Sequence, residues 1–298
     1  MFIDSFTFPS RVDEEDYFWD ETRINAFQSI YPFHILWREK RTELEFAPLT
    51  ILYGSNGSGK STMLNVIAHK LGLDRYSPAN LTDYFEDYSR LCSFEPGKDR
   101  PRERRIIVSD DVFDIMFRQR LYNSQVDEGR EEMTSEYDSI RGKAGGFRMT
   151  SLDDAEMLSK INLVNSRRHT RSEYVRNRIG RSSRTRSNGE SAVRFFSESM
   201  GEDGLYLLDE PENSLSPNTQ LKLIAFLEEQ VRFYGCQLII ATHSPFILSM
   251  KGAKIYNIDS DQPAPCKWTE LENVRAYFEL FEKHRKKFLG QKTKRLDI

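Results

Sequence analysis

Residues 49–62 read LTILYGSNGSGKST, a short apolar run that empties into a glycine-rich loop and then into a segment of helical spacing. The loop fits G-x-x-x-x-G-K-[ST] through Gly54, Gly59, Lys60 and Ser61. Thr50 to Tyr53 is β-prone and apolar, while Leu64, Ile67 and Leu71 fall on one helix face with Met63 and Val66 beside them. Strand, loop and helix in that order is the context the pattern needs. Glycines let the backbone curl until successive N–H groups converge, and the following helix turns its partial positive end toward bound phosphate. In such a loop Lys60 pairs with the β- and γ-phosphates and the Ser61 hydroxyl ligates magnesium. Gly54, Ser55, Asn56, Gly57, Ser58, Gly59, Lys60, Ser61 and Thr62 are therefore the expected nucleotide-binding residues. The loop leaves the base undetermined.

At 298 residues the chain can form one large domain or two modest ones with an ample core. Lys plus Arg total 43 against 46 Asp plus Glu, so net charge gives no global attraction to nucleic acid or membrane. No apolar run approaches the roughly 18 residues that span a bilayer. The start, MFIDSFTFPSRVDEED, is acidic where a secretion signal is basic and then apolar. A cytoplasmic protein with no membrane contact is expected. Cys92, Cys236 and Cys266 form neither an even disulfide framework nor a C-x-x-C pair and read as reduced thiols.

Residues 1–48 read as a β-rich lead-in, with candidate strands at His34–Trp37 and Leu44–Phe46, and with Tyr31 and Phe33 as core aromatics. Residues 74–186 form a charged insert, compact or partly disordered, with helices around Asp110–Tyr122 and Ser151–Val164. Its Pro and Gly residues, Gly129 and Gly142 among them, argue against a long coiled coil. From Gly189 onward strands and helices alternate: helix Glu190–Met200, strand Leu205–Leu208, helix Pro217–Phe233, strand Gln237–Thr242 and strand Lys254–Ile258. Such alternation implies a largely parallel sheet with helices packed on it. Glu270–Phe281 has helical spacing as well.

Three further motifs bear on chemistry. In LYLLDEPEN the apolar strand ends in Asp209 and Glu210, either a solvated acidic turn or, beside a phosphate loop, a magnesium ligand (Asp209) and a general base (Glu210). In QLIIATHSPFIL another apolar strand ends at His243, at the sheet edge where open α/β folds bind ligands and within reach of a γ-phosphate. Ser187-Asn188-Gly189-Glu190 is a capping box, Ser187 the N-cap and Glu190 three residues on. The same helix start is equipped to bind a phosphate supplied from outside.

Taken together, the phosphate loop, the short serine-glycine signature, the strand-borne Asp-Glu-Pro and the strand-end histidine resemble the ABC-type ATPase superfamily. Within it the chain is similar to the soluble prokaryotic SMC-like predicted ATPases. The resemblance covers roughly Leu44–Gly72 and Ser187–Ile258. It implies an α/β, P-loop NTPase fold of the ABC type: a mostly parallel central sheet, an antiparallel β-rich lead-in and a helical insert. The chain would then be a single ATPase domain, with 1–73 and 187–265 as nucleotide-binding core, 74–186 as insert and 266–298 as C-terminal helix and basic tail. ATP and Mg2+ are the implied ligands, with Glu210 as catalytic base, His243 as γ-phosphate switch, Lys60 on the phosphates, and Ser61 and Asp209 on the metal. Ser214 to Ser216 falls at the family's D-loop. Ser187, Gly189 and Glu190 would complete the site of an opposite subunit, because the family sandwiches two ATP molecules in a head-to-tail homodimer. The signature reads SNGES where transporter cassettes show LSGGQ, and the long coiled coil and C-x-x-C hook of DNA-break repair ATPases are missing. The family's glutamine loop has no clear counterpart; Asp110 is the candidate for its metal-side position, or else an acidic cap of the next helix.

Arg167–Arg186 carries eight arginines, Arg167, Arg168, Arg171, Arg176, Arg178, Arg181, Arg184 and Arg186, with Glu173 as its sole acid. It is either a nucleic-acid contact or a solvated linker. The basic tail His284–Lys294 carries the same two readings. Two functions stay open: an ATPase acting in DNA repair or anti-phage defence, and an ATP-gated scaffold holding a separate effector such as a nuclease or toxin.

Overall fold

The computed structural model describes residues 1–20, 29–36, 38–78, 81–142 and 188–289. The chain separates into two compact units, one of Met1–Val112 with Gly189–Ile298 and one of Phe113–Asn188. The first opens with β1 (Ile3–Phe8), α1 (Arg11–Asp20), β2 (Thr42–Glu45), β3 (Leu49–Tyr53) and α2 (Lys60–Leu71). Then follow β4 (Asp74–Arg75), α3 (Phe85–Leu91), β5 (Ser93–Pro96) and β6 (Glu103–Val108). After α4 (Ser109–Gly142) come α5 (Asn188–Ser199), β7 (Gly204–Asp209), α6 (Pro217–Phe233), β8 (Gln237–Thr242) and α7 (Pro245–Leu248). The chain continues through β9 (Lys254–Asn257), β10 (Pro265–Cys266), α8 (Glu272–Lys283) and α9 (Arg285–Phe288).

Seven strands form the main sheet in the order β10-β9-β3-β8-β7-β6-β4, parallel throughout except for the antiparallel β10. Parallel strands covered on both faces read as continuous apolar runs. LTILY of β3 and QLIIAT of β8 are buried at every position. The fold is thus α/β with a mostly parallel sheet, and β2-β1-β5 make the antiparallel lead-in sheet. One core joins the two sheets: Phe6, Phe8 and Leu44 pack in the same cluster as Met63, Leu64 and Ile67 of α2. Gln237 ties them further, its Nε2 donating to Ile3 O (2.8 Å) and its Oε1 accepting from Phe2 N (2.8 Å).

Several expectations shift. Residues 31–36 form turns instead of a strand starting at His34; Trp37 lies outside the described residues. His34 has φ +63°, and its N–H donates to the buried Glu14 carboxylate at 2.8 Å, which commits the backbone to a turn. The antiparallel partner of β2 is β1, whose IDSFTF is short and mixed in polarity. Residues 74–108, expected within the insert, supply β4, β5 and β6 to the two sheets. The helix expected around Asp110–Tyr122 runs on through Gly129 to Gly142, since an isolated glycine costs a helix only about 1 kcal/mol. The expected helix Ser151–Val164 and the arginine run 167–186 lie outside the described residues. Among the described residues no helix is long and apolar enough to cross a membrane.

Candidate functional site

Three neighbouring strands, β3, β8 and β7, deliver the motifs to one edge of the sheet. In register, Tyr53 pairs with Thr242 and Asp209 with Ala241, so the phosphate loop, the Asp209-Glu210 pair and His243 emerge side by side at the strands' carboxyl ends. Between the phosphate loop, residues 212–215 and His243 lies a cavity of about 700 Å³, which Asp259 and Asn273 also line.

The loop is shaped for an anion. Gly59 takes φ +92° at the N-cap of α2, where no side chain caps the helix, so its first-turn N–H groups stay available to phosphate. A Cβ on Gly59 would stand 2.6 Å from Leu36 Cδ2, so the lead-in turn packs directly against the loop. The Lys60 ammonium is buried and donates to the carbonyls of Gly54 (2.8 Å) and Ser55 (3.0 Å). Tyr31 Oη donates to Thr62 Oγ1 at 3.3 Å.

Ser61 Oγ donates to Asp209 Oδ1 at 3.1 Å. Burial, opposed by that hydrogen bond and reinforced by Glu210, pushes the Asp209 carboxyl up to about 6. Among the described residues no cation forms an ion pair with Asp209, and the Ser61 hydrogen bond and the Lys60 charge offset only part of the carboxylate's desolvation. A serine hydroxyl and an aspartate are hard oxygen donors, the set magnesium takes when phosphates and water complete its shell. These residues fit the ion. No described cluster of three or more His, Cys, Asp and Glu forms a self-sufficient metal cage.

Glu210 sits at φ +47°, a conformation uncommon for a residue with a Cβ. Its N–H donates to Ala241 O at 2.9 Å, and its Oε1 lies 3.4 Å from His243 Nδ1. The imidazole is half-exposed, its backbone carbonyl held by Asn273 Nδ2 at 2.7 Å. Asp110 lines a second cavity, of about 540 Å³, together with Asp209. Asp110 is exposed in the first turn of α4, and its neighbour Asp111 accepts from Val108 N at 3.0 Å. Gly189 and Glu190 stand in the first turn of α5, and Ser187 lies outside the described residues.

Sequence reasoning missed four side chains. Arg75 lines the second cavity and donates to Asn65 Oδ1 at 2.8 Å. The Asp259 carboxylate accepts from the N–H (2.9 Å) and hydroxyl (2.8 Å) of Ser55. Arg38 supports that segment from the lead-in, donating to Ile258 O at 2.7 Å and to Ser260 O. Glu212 is buried against residues 242–244, and burial raises its carboxyl above the usual glutamate range. The second acid of Glu-Pro-Glu was the one local signal available; the others are contacts between residues distant in sequence.

Comparison with solved structures gives loose likenesses. An SMC head domain from Pyrococcus furiosus, with an extended coiled coil and bound to the C-terminal domain of ScpA, is 13% identical. The match covers 84% of this chain and 97% of that one at a TM-score of 0.39. A nucleotide-free ATP-binding cassette from an ABC transporter is 12% identical, covering 93% and 96% at a TM-score of 0.36. A dimeric bacterial ABC transporter cassette is 14% identical, covering 73% and 84% at a TM-score of 0.33. No curated protein matches in sequence. Residues 73–249, more than half of the chain, match the family described as "AAA domain, putative AbiEii toxin, Type IV TA system", and the protein belongs to this family of AAA-type ATPase domains.

Proposed function

We propose that the chain binds ATP with magnesium on Gly54–Thr62 and hydrolyses it in a composite site shared by two copies arranged head to tail. The observation that carries this reading is the convergence of the loop, Asp209, Glu210 and His243 at the ends of three adjacent strands. Glycine-shaped backbone and Lys60 hold the phosphates, and Ser61 with Asp209 holds the metal, which neutralises phosphate charge when bound. Glu210 accepts the proton of the attacking water, and His243, 3.4 Å from it, faces the γ-phosphate from the next strand. Asp110 stands on the metal side. Ser187, Gly189 and Glu190 meet the partner's nucleotide at the start of α5. ATP-driven closure and hydrolysis-driven opening make a conformational switch, acting in DNA repair or anti-phage defence. The arginine run Arg167–Arg186 is the proposed nucleic-acid contact.

A second reading makes the chain an ATP-gated scaffold for a separate toxin or nuclease; the toxin–antitoxin wording of its family supports this one. The central claim is tested by Glu210→Gln, which holds bound ATP unhydrolysed. Analytical ultracentrifugation with saturating ATP and magnesium is expected to show a dimer. A variant that stays monomeric there would sink the composite site.

A further inference from the structure

Around His243 one carboxylate gathers more donors than any motif assigns to it. Glu212, 5% exposed, accepts on a single oxygen, Oε1, from Thr242 Oγ1, from His243 N at 3.3 Å and from Ser244 N at 3.2 Å. These are consecutive residues at the end of β8. The same Oε1 lies 3.9 Å from His243 Nδ1, on the imidazole edge that also faces Glu210. Glu212 is itself anchored, since Leu215 N donates to its backbone carbonyl at 2.9 Å. Thr242 Oγ1 and Ser244 Oγ extend the network, the first accepting from Ser244 N at 2.9 Å and the second donating to Gln220 at 2.7 Å. The other carboxylate oxygen, Oε2, is buried without a hydrogen-bond partner among the described residues.

Surface glutamates do not arrange themselves so. A desolvated carboxylate survives when its donors are fixed, and fixing them here fixes the peptide planes on both sides of His243. The ring of His243 is half-exposed, so packing does little to hold it. What sets its distance to Glu210 is the position of the β8 end relative to the β7 end, and Glu212 spans that gap.

We infer that Glu212 is a positioning residue for hydrolysis: by holding residues 242–244 it keeps the His243 imidazole in register with Glu210. Among the described residues the polar partners of the Glu212 carboxylate are residues 242–244 and not the phosphate loop, so its effect falls on turnover and not on nucleotide affinity. The inference rests on the reading of Glu210 and His243 as hydrolytic residues.

The test is a double-mutant cycle read by ATP turnover and by ATP binding. Glu212→Ala is expected to lower kcat about 50-fold with ATP affinity within about threefold, the pattern of a lost transition-state arrangement. Glu212→Gln keeps an acceptor oxygen and is expected to recover all but about fivefold of that loss. His243→Ala costs about 50-fold in the unaltered chain and less than about threefold more once Glu212 is alanine, because the imidazole is already misplaced. Losses that multiply in full, or a Glu212→Ala variant whose ATP affinity falls as far as its turnover, would overturn the inference. Should Glu212→Ala fail to fold, Thr242→Val removes one of the three donors and enters the same cycle. Wild-type turnover in His243→Ala and Glu210→Gln would instead sink the hydrolytic reading itself.

Discussion

Asp259 and Ser55 are joined twice: the carboxylate accepts both the backbone N–H and the hydroxyl of the serine, at 2.9 and 2.8 Å. Ser55 is the second residue of the phosphate loop, and Asp259 follows β9, the strand next to β3. The loop's opening is thus pinned from the neighbouring strand, while Arg38 holds the carbonyls on either side of Asp259. Asp259→Ala is expected to raise the KM for ATP about five- to tenfold with kcat within about threefold, as removal of uniform binding does. Steady-state kinetics decide it, and an unchanged KM would show that the loop holds its shape unaided.

Gly59→Ala meets two separate obstacles, a backbone at φ +92° and the Leu36 side chain 2.6 Å from the new Cβ. A loss of roughly 1–3 kcal/mol in folding stability is expected from the combined strain. Adding Leu36→Ala relieves the clash and leaves the dihedral cost. Thermal unfolding of the double variant, compared with Leu36→Ala alone, separates the two.

Asp209 has its carboxyl raised to about 6, chiefly by burial. A carboxyl that titrates higher in the folded than in the unfolded chain costs stability once ionised. The cost is absent below the unfolded value near 4 and complete above about 6. Asp209→Asn is therefore expected to stabilise the metal-free protein by up to about 3 kcal/mol at pH 8 and hardly at all at pH 4. Denaturant melts at the two values check the sign. With magnesium and ATP present the same substitution is expected to abolish turnover.

Lys60→Ala is expected to eliminate ATP binding, whereas Ser187→Ala leaves binding within about threefold and suppresses hydrolysis at least tenfold. In the proposed composite site the first residue serves its own subunit's loop and the second the partner's nucleotide. Equal loss of binding in both variants, measured by fluorescent-nucleotide titration, would argue against a role for Ser187 across the dimer.

Much of this was legible where the signal is local. LTILY, GLYLLD and QLIIAT are apolar runs that parallel strands require, and helix Pro217–Phe233 begins at the serine-proline pair that caps it, Ser216 accepting from Thr219 N. The phosphate loop, Asp209-Glu210 and His243 announce themselves by lying at strand ends. What stayed hidden depends on partners far along the chain. The turn at 31–36 is committed by Glu14, the pinning of Ser55 by Asp259, and the placement of His243 by a glutamate from another strand's end. β1 was hidden for a different reason, since IDSFTF is short and its pairing is decided by Thr42–Glu45. Gly129 misled in the opposite direction, a breaker residue whose small penalty is absorbed by a long helix.

Strands β6 and β7 are hydrogen-bonded neighbours although residues 109–203 lie between them. Their pairing runs from Glu103 with Gly204 to Val108 with Asp209, so Asp209 is located by strand register and owes nothing to the length of the connection. Register tolerates no slip, because a single residue inserted within β7 would carry Asp209 about 3.3 Å out of place. This register places no constraint on how many residues the connection holds. The spacing of the sheet-borne residues is thus set across the strands, and changes of length between Asp110 and Ser187 are expected to leave Asp209 where it is.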